Sequence, residues 1–465
     1  MQFSIRFLLS LFVFLITLGN LFSQNTASIE GVWEMRGYGW IFSINNGLVK
    51  TYEITKVSCG IGATYPSDML GDFTIKNDVL TTKIGLSTYV LDRLDALPDV
   101  CATKLSRKQK KDPFHNFDVL WNTFNEQYAY FDLRATDWEE SYKKFRPQIT
   151  ANTSDVELYR IFSNMLDEIG DGHVDIEAPD KIMAKAFPED VDSDDISFKD
   201  LWMAIAHYYV DDLKTHNYSK SVWGKINSKT GYLQVNDMAA QAHYGITPDM
   251  PKKEAQKLYL KSVENSANHM LDETEGMRKT MQNVLKDIEG VEYLIVDVRF
   301  NEGGFDTVSY EIIRALAQNP FIGFQKYARL EDSTTSPYFY EVTPAESTFS
   351  GKVYILQSPF SGSATETMLL ASMQMLNVVR IGSPSEGILS DALEKVLPNG
   401  WTFTLSNEAY VTPEGVNYED KGIPVDQELN YSREAQVFYN SLEKAINTKK
   451  GDEGIEFILR QIEGQ

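Results

Sequence analysis

The sequence predicts an α/β core, preceded by a helical segment and a small N-terminal β-domain. Three observations lead there. Residues 28–105 carry short apolar and aromatic runs separated by turn residues, such as Trp40-Ile-Phe-Ser-Ile and Thr88-Tyr-Val-Leu. Residues 114–170 then switch to helical spacing, with Phe117, Leu120, Trp121 and Phe124 on one face and Leu158, Ile161, Phe162, Met165 and Leu166 on another. From Val291 onward, buried-type strands alternate with helical patterns, the order that places covering helices on a sheet.

Taken in order, Arg6 precedes an apolar run from Phe7 to Phe22 and a polar stretch from Ser23. Residues 1–24 therefore read as a secretory signal peptide, which predicts an exported protein, periplasmic or extracellular. The run is short for a membrane anchor, and no other segment is apolar enough to span a bilayer. Cys59 and Cys101 are the only cysteines; in an oxidising compartment they are expected to pair. Asn45-Asn-Gly47 and Lys76-Asn-Asp78 read as hairpin turns.

The basic stretch 106–113 reads as a linker, and 114–180 as the helical start of the next unit. That unit continues as an α/β core over 181–430. Within it, Glu189–Asp195 is a solvated acidic loop that lacks calcium-loop spacing. Residues 230–236, 293–299, 353–357 and 378–382 read as strands, with helices near 253–288, 307–317 and 365–376. Residues 402–405 and 408–411 are two further strands joined by a short turn. The tail 431–465 looks helical and polar.

Composition narrows the function. With 465 residues, 43 % hydrophobic, the chain has enough material for two or three domains with real cores. A net charge of −22 argues against nucleic acid as a partner. Two cysteines and six histidines show no zinc-site spacing, so neither metal nor cofactor is expected.

Three segments could carry chemistry. Asp297-Val-Arg-Phe-Asn-Glu-Gly303-Gly304 lies at the end of a strand, where open α/β sheets form sites. Its paired glycines allow a ligand close to the backbone, or simply make a tight turn. Ser-Pro-Phe-Ser361-Gly-Ser363 joins a strand to a helix, where Ser361 or Ser363 is either a helix cap or a nucleophile at free N–H groups. Asp171-Gly-His173 sets a histidine on a loop, and histidine is the usual base for a serine nucleophile.

These segments occur in the order Asp-Gly-His, Asn-Glu-Gly-Gly, Ser-Gly-Ser-Ala-Thr-Glu, Gly382-Ser-Pro-Ser-Glu-Gly and Gly422-Ile-Pro-Val-Asp426. In this the chain resembles the tail-specific proteases, or C-terminal processing peptidases, over roughly residues 114–430. The resemblance implies a ClpP/crotonase-like fold and a polypeptide substrate. It implies Ser363 as nucleophile, with oxyanion donors from Ala364 and from Gly303 or Gly304. Members with a Ser–Lys dyad carry a lysine where this chain has Ile388, and Lys395 is seven residues further on. The resemblance is thus to the tricorn-like branch, which implies His173 as general acid/base and Glu419, in Tyr418-Glu-Asp-Lys-Gly422, as support for the base. The PDZ insertion common in the family is not expected, because helices and the acidic loop take up the stretch between His173 and Asn301.

The expected activity is a serine endopeptidase forming an acyl-enzyme on Ser363. The alternatives are a catalytically silent ligand- or peptide-binding protein on the same fold and, resting only on abundant carboxylates, a glycan-active protein.

Overall fold

The computed structural model describes residues 29–188, 198–217, 220–247, 250–331 and 333–464. The leader assigned to 1–24 and the acidic run 189–195 lie outside the described residues. The chain divides into two compact units, and both combine strands with helices. No helix among the described residues is long and apolar enough to cross a membrane.

The first unit holds the described residues up to 188 together with Lys326–Tyr338 and Ser390–Ala409. It begins as a seven-stranded sheet in which Gly31–Met35 lies between Trp40–Asn45 and Ser87–Leu94. Strand alternation buries Trp33, Met35, Ile41, Val49, Leu80 and Leu91. The hairpin between Asn45 and Leu48 turns through Asn46 and Gly47, and that between Lys76 and Val79 through Asn77 and Asp78. All four turn residues have positive φ, which two-residue hairpins with the native strand twist require. Cys59 and Cys101 are joined as a disulfide, which pins the strand Ser58–Pro66 to the turn Asp99–Ala102.

The basic stretch read as a linker forms a helical turn, Arg107–Lys110, because Ser106 and Gln109 make a reciprocal capping box. Helices Pro113–Gln127, Trp138–Phe145 and Asp155–Asp167 follow, capped by Asp112, Asp137 and Ser154. Trp121 and Trp138 stack, and each indole N–H donates to the other residue's carbonyl. The hairpin Ala392–Val396/Thr402–Ser406 adds to the short strand Asp175–Glu177, just after the Asp171-Gly-His173 turn.

The second unit is an α/β sandwich. Five strands run parallel in the order Thr230–Val235, Tyr293–Asp297, Lys352–Gln357, Val378–Gly382, Gln427–Glu428. Ser221–Lys225 and Lys214–His216 extend the sheet antiparallel beyond Thr230–Val235. The parallel strands are buried on both faces, which explains their unbroken apolar sequence. The C-terminal stretch, polar by composition, forms helices Ala435–Asn447 and Glu453–Glu463. These seat Phe438, Leu442, Ile455 and Ile458 in a core with Tyr232, Ile295 and Tyr354.

A buried ion network ties these helices to the sheet. Asp297 and Asp452 both grip the Arg299 guanidinium, at 2.6 Å and 2.9 Å, and all three side chains are out of solvent. Asp452 also caps the last helix through the N–H groups of Gly454 and Ile455. Breaking one partner of such a network strands a buried charge at a cost of about 3–5 kcal/mol.

Candidate active site

The strand Lys352–Gln357 ends in a tight turn before the helix Ala364–Ser372. The turn separates the two serines. Ser361 is fully buried; its hydroxyl donates to the Val298 carbonyl at 2.8 Å and accepts the Ser358 N–H at 3.0 Å. Ser363 is partly exposed and stands at the helix N-terminus with φ +52° and ψ −124°. A non-glycine residue held there stores about 1–3 kcal/mol of strain, which a purely structural cap does not require.

The glycine turn lies directly against this serine. A Cβ placed on Gly303 would stand 2.5 Å from the Ser363 Cβ and 3.1 Å from the Ala364 nitrogen, and Gly303 itself has φ +117°. Only glycine allows that approach. Asn301 organises both sides: its carbonyl takes the Gly362 N–H at 3.1 Å, and its side-chain oxygen takes the Gly303 N–H at 3.0 Å. Gly303 N–H is thus committed to Asn301. Among the described residues no acceptor takes the N–H of Gly304 or Ala364. Of Gly303 and Gly304, it is Gly304 whose N–H has no acceptor among the described residues.

Glu366, three residues after Ser363, has a role the sequence reading did not give it. It is fully buried and accepts four bonds: from Ser363 N–H (3.2 Å), Ser385 hydroxyl (2.6 Å), Gly387 N–H (2.8 Å) and Ile388 N–H (2.8 Å). Burial pushes its pKa up to about 7, against the downward pull of those donors. The available signal was its place as third residue of a helix opening Ser-x-x-Glu. The next amide, Leu389 N–H, donates at 2.8 Å to Glu419, also fully buried. Two consecutive amides, 388 and 389, are thereby fixed by two buried carboxylates. Glu386 packs on the turn that carries Ser363, its Oε2 only 2.2 Å from where a Cβ on Gly362 would sit. Burial, then Glu366 and Glu302, push its carboxyl up to about 7.

His173 belongs to the first unit. Its N–H donates to Asp171 Oδ1 at 2.9 Å, and Asp171 is itself held by the Tyr128 hydroxyl at 2.8 Å and by Arg134 Nε at 3.5 Å. Burial pushes the imidazole pKa down; Asp171 and Asp391 oppose that, and Arg134 adds to it. The ring is therefore neutral at pH 7, the form that accepts a proton. Lys395 also belongs to the first unit. Its Nζ donates to the Tyr38 carbonyl at 2.5 Å and sits 5.1 Å from the Trp40 ring, and burial lowers its pKa to about 8.

Comparison with known proteins follows the same lines. The model of peptidase family S41 matches residues 229–429, and that of the tricorn protease C1 domain matches 109–167. Among solved structures, a candidate peptidase from Parabacteroides merdae ATCC 43184 superposes with a TM-score of 0.53 at 17 % identity, over 72 % of this chain and 97 % of that one. Mature CPAF gives 0.51 at 9 % identity, over 73 % of this chain and 96 % of that one. Mature CPAF complexed with lactacystin gives 0.51 at 9 % identity, over 77 % and 99 %. At these identities the structures establish a shared fold. No curated protein sequence matches the chain.

Proposed function

We propose that the chain, which matches the model of peptidase family S41 over residues 229–429 and that of the tricorn protease C1 domain over 109–167, is an exported serine endopeptidase working through an acyl-enzyme on Ser363. In this reading the Ser363 hydroxyl attacks the peptide carbonyl while its proton passes to His173. The oxyanion is received by the N–H groups of Ala364 and Gly304, aided by the positive end of the helix Ala364–Ser372. The leaving amine takes the proton back from His173, and water then hydrolyses the ester by the same route. Glu419 fixes the loop beside Ser363 through Leu389.

One observation carries the reading: of the two candidate serines, the partly exposed one sits strained at a helix N-terminus against a glycine turn. Each oxyanion donor is worth about 3–4 kcal/mol of transition-state stabilisation. Hydrolysis of denatured casein tests it. Ser363→Ala abolishes turnover if the reading is right, and native turnover in that variant contradicts it. Export rests on the N-terminal sequence pattern and on the disulfide, a bond that persists in oxidising compartments. N-terminal sequencing of the protein made in its own cell tests this. A mature chain beginning near residue 24 supports export, and an intact Met1 in the cytosol contradicts it.

A further inference from the structure

The Gly303–Gly304 turn is braced from behind by the segment Asp237–Ala242. Met238 N–H donates to the Gly303 carbonyl at 2.8 Å, and Phe305 N–H donates to the Met238 carbonyl at 3.1 Å. A Cβ on Gly304 would meet Met238 and Ala239 backbone atoms at 2.5–2.8 Å. The segment therefore lies flat against the turn, and a displacement of one moves the other.

What fixes the far end of the segment is a carboxylate. Glu273, fully buried on the helix His269–Asp287, accepts the N–H groups of both Gln241 and Ala242 on its Oε2, the latter at 3.0 Å. Its other oxygen takes the Tyr259 hydroxyl at 2.5 Å and faces His269 Nε2 at 3.5 Å. The carbonyls of the segment are also held, Gln241 by His216 at 2.8 Å and Ala240 and Ala242 by Asn217 at 2.8 Å. Without Glu273, two buried amides would lose their acceptor. The segment would relax away from the helix.

We propose that Glu273 is a positioning residue for the oxyanion turn, acting through Gln241, Ala242 and Met238 on Gly304. The proposal rests on the serine peptidase reading above. It makes the helix His269–Asp287 part of the machinery that sets the rate. Misplacing a catalytic group by about 1 Å costs up to 100-fold in rate, so the effect falls on kcat rather than on substrate binding. Burial pushes the Glu273 carboxyl up to about 7, with Tyr259 and the two backbone amides opposing this and Asp237 adding to it. A neutral acceptor of the same length is therefore a fair replacement.

The test compares Glu273→Asp with Glu273→Gln in full-length protein hydrolysing p-nitrophenyl butyrate, with rates taken per site titrated by a fluorophosphonate. Aspartate keeps the charge but withdraws the acceptor by one methylene; glutamine keeps the reach. Expected are a fall in kcat of about 10-fold or more for the aspartate variant with KM within about twofold, and kcat within about threefold of native for the glutamine variant. Native kcat in Glu273→Asp overturns the proposal, as does an equal loss in both variants. Ser363→Ala in the same assay separates the two claims. If it is active, the serine reading fails; if it is inactive while Glu273→Asp turns over normally, only the role of Glu273 fails.

Discussion

Gly303 and Ser363 approach so closely that a single methyl group on the glycine would lie 2.5 Å from the serine Cβ. The contact joins two strand ends 60 residues apart in sequence, and Asn301 holds both by bonding Gly362 and Gly303. Gly303→Ala should therefore cut kcat/KM by about 100-fold or more, comparable with loss of an oxyanion donor. Steady-state hydrolysis beside a thermal melt checks this; a folded variant with native kcat/KM contradicts the arrangement.

Glu366 makes stability depend on pH. Its folded pKa, about 7, lies above the ordinary glutamate value of 4.5. The folded state thus holds the proton more tightly, so this contribution to stability is full below pH 4.5 and is lost as pH rises through 7. The span corresponds to about 3 kcal/mol. Thermal melts from pH 5 to pH 8 should show a downward slope that Glu366→Gln reduces; an unchanged slope contradicts the assignment.

The disulfide closes a span of 42 residues. On the chain-entropy account, removing it costs up to about 4 kcal/mol. Cys59→Ser with Cys101→Ser should lower the denaturant midpoint, and reductant should do the same to the native chain but not to the double variant.

His173 should set an acid limb in kcat/KM below the ordinary histidine value, because burial depresses its pKa. Asp391 opposes that depression. Asp391→Asn should therefore move the limb to still lower pH, and movement to higher pH contradicts the electrostatic account.

Local chemistry was legible in the sequence. The hairpins at Asn46-Gly47 and Asn77-Asp78 and the buried strand before Ser363 follow from short-range rules. What local pattern hides is pairing at a distance. Nothing near Thr402 announces that it pairs with Glu177, which returns Ser390–Ala409 to the first unit. Nothing in the polar tail announces that Asp452 closes on Arg299. Glu366 and Glu273 show the same limit at the site. Glu273 is an ordinary helical glutamate in sequence and Glu366 shows only its Ser-x-x-Glu spacing, yet each also binds amides about 20–30 residues away that only the fold delivers.

The central claim is that Ser363 is the nucleophile and His173 its base. The most direct measurement is to label the native chain with a fluorophosphonate, digest it and locate the adduct by mass spectrometry. The account predicts a single adduct on Ser363, absent from Ser363→Ala and formed at least about 100-fold more slowly in His173→Ala. An adduct on Ser361, or native labelling rates in the histidine variant, would contradict it.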